Sequence, residues 1–150
     1  LEAAKAAKQG KDKEYILGML HELIINIKAY FVVDTLDYLQ KGGRIGKASA
    51  FLGNLFNLKP LLTIQDGIVA PVEKIRGKAR VIDKLIEKVL RDSKGRPLNG
   101  SIVHANIEDF VMSNLEEIKS KCNFTELYIA NMGAVIGAYA GPGTIGIVFY

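Results

Sequence analysis

Two apolar runs, 58–65 and 68–76, flank the dipeptide Asp66-Gly67, and this arrangement constrains the fold more than any other feature of the sequence. An Asp-Gly pair is favoured in a two-residue hairpin turn because both central positions take a positive φ. The two runs are therefore predicted to form adjacent antiparallel strands. Pro71 has no N–H to donate to a neighbouring strand, so the second strand is expected at a sheet edge or at a bulge.

Helical and extended patterns alternate along the rest of the chain. A sheet that contains an antiparallel hairpin as well as strands joined by helices is mixed, so the sequence predicts an α/β fold with helices packed on a mixed β-sheet. We expect residues 1–150 to form a single domain. The predicted helices cover about 12–28, 36–41, 47–56, 78–91 and 108–121, and the predicted strands cover 30–33, 58–65, 68–76, 100–105, 125–130 and 144–150.

The composition is that of a globular protein, with 49% hydrophobic and 24% charged residues. No apolar stretch approaches the roughly 18 residues of a membrane-spanning helix, and the first residues lack the pattern of a secretory signal. Cys122 is the single cysteine, so no disulfide forms within the chain, and we expect a small buried side chain at a helix end. These features favour a cytoplasmic protein.

Basic residues are concentrated in 74–96, which carries nine basic and three acidic side chains, a charge of +6 in a chain whose total is +4. Such a segment can bind nucleic acid or an acidic partner. It is also typical of a solvated helix face, since Lys84, Glu87, Lys88 and Arg91 interleave with apolar residues. No aromatic residue lies among the basic ones, which weighs against stacking on nucleic-acid bases. The solvated face is the favoured interpretation.

The first segment with unusual glycine content is 36–45, where Gly42-Gly43-Arg44 follows a predicted helix. Paired glycines at a helix end allow conformations closed to other residues and let the backbone approach a ligand. The guanidinium of Arg44 is suited to a carboxylate or a phosphate. The alternative is a simple helix C-cap with an exposed arginine.

The second glycine-rich segment is 132–143, which ends in Gly141-Pro142-Gly143. Its backbone N–H groups are candidates to contact an anion, although the spacing matches neither the phosphate-loop signature nor the dinucleotide fingerprint. A tight turn is the alternative. In a third segment, Arg76 ends a hairpin arm just before Gly77 and is expected to project into a cleft.

Catalytic patterns are missing from the sequence. The two histidines, His21 and His104, are isolated from each other, and no His/Cys cluster has metal-ligand spacing. No serine lies in a nucleophile elbow, and the carboxylates are scattered. We therefore expect neither catalytic residues nor a metal or cofactor.

Five segments, taken in order, resemble one known family. The segment 30–45, with its Asp34-Thr35-Leu36-Asp37 and Gly42-Gly43-Arg44-Ile45 motifs, resembles the mid-chain signature of the DegV family. The spacing to 57–62, then to Asp66-Gly67, and then to 74–77 agrees with that family, and 141–146 is similar to its C-terminal signature. The resemblance covers roughly residues 10–150.

This resemblance implies the C-terminal lobe of a two-lobed fatty-acid-binding protein whose N-terminal lobe is absent here. The long acyl chain would lie in an apolar tunnel with its carboxylate at the lobe interface. Such a carrier is not an enzyme, and it can present the bound acid to a separate kinase. By the same resemblance, the ligand-binding residues are Arg44, Arg76, Gly42, Gly43, Tyr139 and Gly141.

Tyr139 departs from the family pattern, because many members carry a histidine at this position. Tyrosine can donate a hydrogen bond but lacks the charge of a histidine. The residues expected to supply apolar surface to the tunnel are Leu52, Leu55, Phe56, Leu58, Leu61 and Ile64.

Two other functions compete with the carrier. A phosphoryl-transfer enzyme would use the glycine-rich turns and the arginines, although no carboxylate set for magnesium is evident. A protein-interaction domain would use the basic helix around Lys84 and Arg91.

Overall fold

The computed structural model describes residues 1–53 and 57–150. In this part of the chain a single sheet has the strand order β3-β2-β1-β6-β4-β5. β4 and β5 are parallel, and every other neighbouring pair is antiparallel, so the predicted mixed sheet is confirmed. The strands are β1 (Lys28–Val32), β2 (Leu58–Gln65), β3 (Ile68–Arg76), β4 (Leu98–His104), β5 (Phe124–Asn131) and β6 (Ile145–Phe149).

Six α-helices surround this sheet in the described residues, together with 3-10 helices at Gly46–Phe51 and Lys78–Arg80. The α-helices are α1 (Glu2–Lys8), α2 (Lys13–Asn26), α3 (Asp37–Lys41), α4 (Val81–Ser93), α5 (Glu108–Lys121) and α6 (Ala134–Ala140).

One face of the sheet is covered by α4 and α5 and contains the larger hydrophobic core. Side chains from β1, β4 and β6, such as Val32, Ile102 and Ile147, pack there with Leu85 and Val111 of the two helices. Cys122 belongs to this core, as expected, and burial raises the pKa of its thiol to about 11. We call this side of the sheet the helix face.

The opposite side, which we call the second face, has a smaller core. Alternate residues of the strands point to opposite faces, so Val33 and Leu62 pack here with Leu36 and Leu39 of the α3 region and with Ala48 of the first 3-10 helix. The predicted helix over 47–56 is therefore a 3-10 helix that ends at Phe51, and residues 54–56 lie outside the described residues.

The hairpin forms as the sequence predicts. Asp66 and Gly67 both have positive φ, 53° and 74°. β3 is an edge strand, and its pairing with β2 shifts register between Leu61 and Leu62, which leaves Val72 as the extra residue beside Pro71. The edge position and the bulge, the two features that allow a proline in a strand, are therefore both present.

The basic helix α4 differs from a solvated face in one respect. Lys88 is only 7% exposed, and its ammonium lies 2.6 Å from the Glu73 carboxylate of β3. Lys84 also pairs with Glu73, at 3.4 Å. Glu73 lies outside the helix in sequence, and its carboxylate offsets part of the charge that the composition concentrates here.

α3 and α6 pack together on the second face through two glycines. A methyl group on Gly42 would overlap the ring of Tyr139, and a methyl group on Gly141 would overlap the ring of Tyr38. Each helix therefore places a tyrosine ring against a glycine of the other segment. The buried Thr144 hydroxyl lies 2.9 Å from the Ala140 carbonyl oxygen and 2.8 Å from that of Gly141, so it satisfies backbone acceptors at the end of α6.

Tyr30 links β1 to the end of α4. Its hydroxyl donates to Asp92 at 2.6 Å and accepts from the Arg91 guanidinium at 2.7 Å. Burial, followed by the hydrogen bond to the Asp92 carboxylate, raises the pKa of Tyr30 to about 12.

We expect Gly42→Ala to lower the free energy of unfolding by about 1–3 kcal/mol, the usual cost of inserting an extra methyl group into a packed contact. The Tyr139 ring must move to accommodate the new Cβ. Gly137→Ala in α6 is the matched control, since its Cβ would meet nothing within 4 Å. Urea unfolding of both variants tests the contact, and equal stability of the two would contradict it.

The raised Tyr30 pKa predicts a pH-dependent stability. Unfolded tyrosine loses its proton near pH 10, whereas the folded residue retains it up to about 12. The folded chain therefore binds more protons in this window, and its stability falls as the pH rises. Urea unfolding between pH 9 and 11 should show the wild type losing stability faster than Tyr30→Phe. Parallel curves for the two proteins would count against this coupling.

Candidate functional site

A cavity of about 520 Å³ lies on the second face of the sheet, beneath α6. This volume is within the roughly 300–1,000 Å³ that is usual for small-molecule sites. Most of the lining side chains are aliphatic or aromatic. The cavity is lined by Ala29, Tyr30, Phe31, Leu39, Arg44, Ile64, Val69, Val103, Met132, Val135, Ile136, Tyr139, Ala140, Gly146 and Val148.

The floor of the cavity is formed by three adjacent strands. Phe31 of β1, Gly146 of β6 and Val103 of β4 lie side by side in the sheet register. A Cβ on Gly146 would lie 2.9 Å from the Phe31 Cβ, so a larger residue would press into this floor. The missing side chain leaves room above the centre of the sheet.

The roof of the cavity is α6, a helix of seven residues. Val135 and Ile136 line the cavity and are nevertheless 72% and 60% exposed. Large apolar side chains with this exposure lose little contact when the helix moves. Part of the roof is thus open to solvent.

Arg44 is the one charged residue among the described residues that line the cavity. Its backbone N–H donates to the Leu39 carbonyl at 2.8 Å, and Gly43 precedes it with a φ of 66°, which completes a Schellman-type end to α3. The guanidinium carbon lies 5.4 Å from the centre of the Tyr139 ring, within the range of a cation–π contact. The residues that end α3 thus also position the candidate binding arginine.

The structure brings together five of the six residues that the resemblance indicated. Arg44 and Tyr139 line the cavity, Gly42 lies against the Tyr139 ring, and Gly43 sets the position of Arg44. Gly141 ends α6 with a φ of 81° and lies against Tyr38.

Arg76 lies apart from this group. It is exposed at the last position of the edge strand β3, opposite Leu58, and it is not among the residues that line the cavity. A contact between Arg76 and a carboxylate remains a prediction, and only the family resemblance supports it.

The apolar residues named from the sequence are only partly those of the cavity. Ile64 lines it, whereas Leu61 packs in the helix-face core, and Leu52 is exposed. Leu55 and Phe56 lie outside the described residues. Sequence reasoning missed most of the lining, since Phe31, Val103 and Val148 come from separate strands. The alternation of residues along each strand indicates that these three side chains share a face of the sheet, but it does not indicate what covers that face.

Other candidate chemistry was also located. His21 is exposed on α2, and His104 is buried at the end of β4. Within residues 1–53 and 57–150, no group of three or more His, Cys, Asp or Glu side chains is arranged to hold a metal ion. None of the described helices has the length and apolar character needed to cross a membrane.

Comparisons with known proteins agree with this architecture. A family model described as "Uncharacterised protein, DegV family" matches residues 1–150. Protein DegV of Bacillus subtilis is 39% identical over 149 residues, which are 98% of this chain and 53% of the relative. The fatty acid-binding protein of Thermotoga maritima is 37% identical over 147 residues, 96% of this chain and 51% of that protein.

A solved structure of a DegV family protein from Thermus thermophilus, described as fatty acid binding, superimposes with a TM-score of 0.92 at 33% identity. The alignment covers 99% of this chain and 54% of that one. The chain thus spans about half the length of the relatives that it matches. Because the family model covers the whole sequence, the chain belongs to the DegV family.

Proposed function

We propose that this protein binds a long-chain fatty acid, with the acyl chain in the cavity beneath α6. The observation that carries the proposal is an apolar cavity of about 520 Å³ with a single lining charge, Arg44, among the described residues. Burial of an alkyl chain contributes about 0.8 kcal/mol per methylene, so such a cavity provides affinity without many polar contacts. The relatives from Thermotoga maritima and Thermus thermophilus, described as fatty acid binding, support this choice of ligand.

The carboxylate is proposed to lie at Arg44. A guanidinium offers paired N–H donors that match the two oxygens of a carboxylate. Tyr139 lies beneath the guanidinium, and its hydroxyl is a further donor. Gly42, Gly43 and Gly141 let these groups approach one another, and Arg76 is proposed to join them once a second lobe completes the head-group site.

The protein is proposed to be a carrier without catalytic residues or cofactor. The bound acid would be presented in the cytoplasm to a separate kinase that phosphorylates its carboxylate. The exposed side chains of α6 support this role, because a carrier must open its cavity to load and release its ligand.

A thermodynamic cycle tests the contact with Arg44. We expect Arg44→Gln to weaken binding of palmitic acid by about tenfold or more, the effect of losing a hydrogen bond to a charged group. Binding of the methyl ester should be nearly unaffected, because the ester carries no charge. The same cycle with Arg76→Gln shows whether that residue shares the carboxylate, and Arg80→Gln controls for net charge. Equal losses for acid and ester would mean that Arg44 only shapes the cavity.

A second variant tests where the acyl chain lies. Val135→Asp places a carboxylate at the roof of the cavity without disturbing the core, since Val135 is exposed. We expect palmitic acid to bind at least about tenfold more weakly, because the chain would lie against a charge. Met112→Asp on α5 is the control, because it introduces the same charge at an exposed apolar residue on the helix face. If both variants bind like the wild type, the chain does not lie under α6.

Native mass spectrometry of the intact two-lobed protein checks the ligand directly. We expect a mass increase equal to one fatty acid in protein purified from cells. Repeated recovery of folded protein without any acyl ligand would refute the carrier.

A further inference from the structure

A second cavity, of about 390 Å³, lies beneath α2, and we call it the α2 groove. One wall is formed by α1 and α2, and the other by β4, β5 and β6. Ser101 of β4 lines the groove and lies two residues from Val103, which lines the acyl cavity. Residues two apart in a strand point to the same face. Both cavities therefore lie on the second face of the sheet.

Val148 joins the two cavities. In the sheet register Val148 of β6 pairs with Ala29 of β1 on one side and with Ser101 of β4 on the other. Ala29 lines the acyl cavity, Ser101 lines the α2 groove, and Val148 lines both. Neighbouring strands are about 4.8 Å apart, so this row passes from one cavity to the other within about 10 Å. A ligand beneath α6 would reach the groove by passing Val148.

The row of side chains where the cavities meet is incompletely covered. β1, β6 and β4 are interior strands of the sheet, yet Ala29, Val148 and Ser101 are only partly buried. On the helix face of the same strands, Ile102 and Ile147 are fully buried. The short side chains of Ala29 and Ser101 leave room on both sides of Val148.

α2 directs an apolar stripe at the groove. Leu20, Leu23 and Ile24 of this helix, with Ile27 at its end, recur at helical spacing and all line the groove. Such a stripe normally packs into a core, whereas none of the 14 residues of α2, Lys13–Asn26, is buried. The stripe thus faces a space that suits an apolar occupant.

Little charge opposes such an occupant. Among the described residues that line the groove, Glu2 is the one charged side chain, and its carboxylate lies 3.0 Å from the Lys5 ammonium. The polar side chains of Asn99 and Ser101 come from β4, whereas the residues contributed by α2 are all apolar.

From these observations we propose that the acyl chain extends beyond the first cavity, passes Val148 and ends in the α2 groove. The proposal rests on the proposed function and adds what selects the length of the ligand. Each buried methylene raises the affinity by up to about fourfold. An acid too short to pass Val148 gains nothing from the groove, so the groove favours long acyl chains over short ones.

Two adjacent isoleucines of α2 supply a matched pair of variants. Ile24 and Ile25 are 72% and 69% exposed, and only Ile24 lines the groove. The affinities of palmitic and octanoic acid are measured by calorimetry in the intact two-lobed protein. We expect Ile24→Asp to lower the ratio of the two affinities by about tenfold, because the end of the long chain would lie against a charge. Ile25→Asp should keep the wild-type ratio, and an equal fall in both variants would overturn the proposal.

A second variant fills the groove from the sheet side. Ser101→Phe places a ring where the distal methylenes are proposed to lie, so the ratio of palmitic to octanoic acid affinity should fall about tenfold or more. Ser120→Phe makes the same exchange at an exposed position of α5 and should keep the wild-type ratio. An unchanged ratio in Ser101→Phe would refute the extension.

NMR of the wild-type protein locates the end of the chain directly, whether or not the variants fold. Palmitic acid labelled with ¹³C at its terminal methyl should give NOEs to the methyl groups of Leu23 and Ile27. NOEs confined to Met132 and Val135, which line the first cavity, would overturn the proposal.

The same measurements separate this proposal from the carrier itself. If both acids bind and Arg44→Gln weakens them, but the groove variants leave their ratio unchanged, the carrier stands and the extension is refuted. If neither acid binds, the carrier is refuted and the extension fails with it.

Discussion

The pairing of β1, β6 and β4 at the centre of the sheet is the constraint on which the rest of the structure depends. It fixes which side chains belong to each face, because a slip of one residue in any of these strands would exchange the two faces. Ile102 and Ile147 point to the helix face and are fully buried under α4 and α5. The next residues along the strands, Val103 and Val148, point the other way and line a cavity.

The two faces of the sheet are packed differently, so the same strands contribute to a filled core on one side and to a cavity on the other. The helix face is covered by two helices of 13 and 14 residues, which fill it with aliphatic side chains. On the second face, the short helix α6 covers the cavity without filling it. Gly146 adds to the space in the one strand that lies between Phe31 and Val103. The stable core and the candidate binding cavity are thus opposite sides of the same strands.

The contact between α3 and α6 joins the polar part of the site to its roof. Tyr139 lies against Gly42 on one side and beneath the Arg44 guanidinium on the other. A displacement of α6 therefore changes the surroundings of the arginine. In the proposed carrier, this contact would make ligand entry and carboxylate binding depend on each other.

Local chemistry decided several elements before any tertiary contact. The Asp66-Gly67 turn and the helix end at Gly42-Gly43 follow from backbone conformations that few residues adopt. The bulged edge strand around Pro71 follows from the missing N–H of proline. These signals act over a few residues, so the sequence alone identified them, together with Arg44 beside the glycines. The order of the motifs along the chain also indicated the family, which no single motif would have indicated.

Tertiary structure decided everything that depends on which segments meet. Strand alternation indicated an inward and an outward face, but only the packing showed that one face is filled and the other hollow. Leu61 and Ile64, equivalent candidates in the sequence, therefore lie in different environments, one in the core and one in the cavity. Lys88, which the charge pattern placed on a solvated face, is buried because Glu73 of a neighbouring strand neutralises it. A sequence reports the local preferences of each residue, whereas burial and pairing depend on partners that only the folded chain brings together.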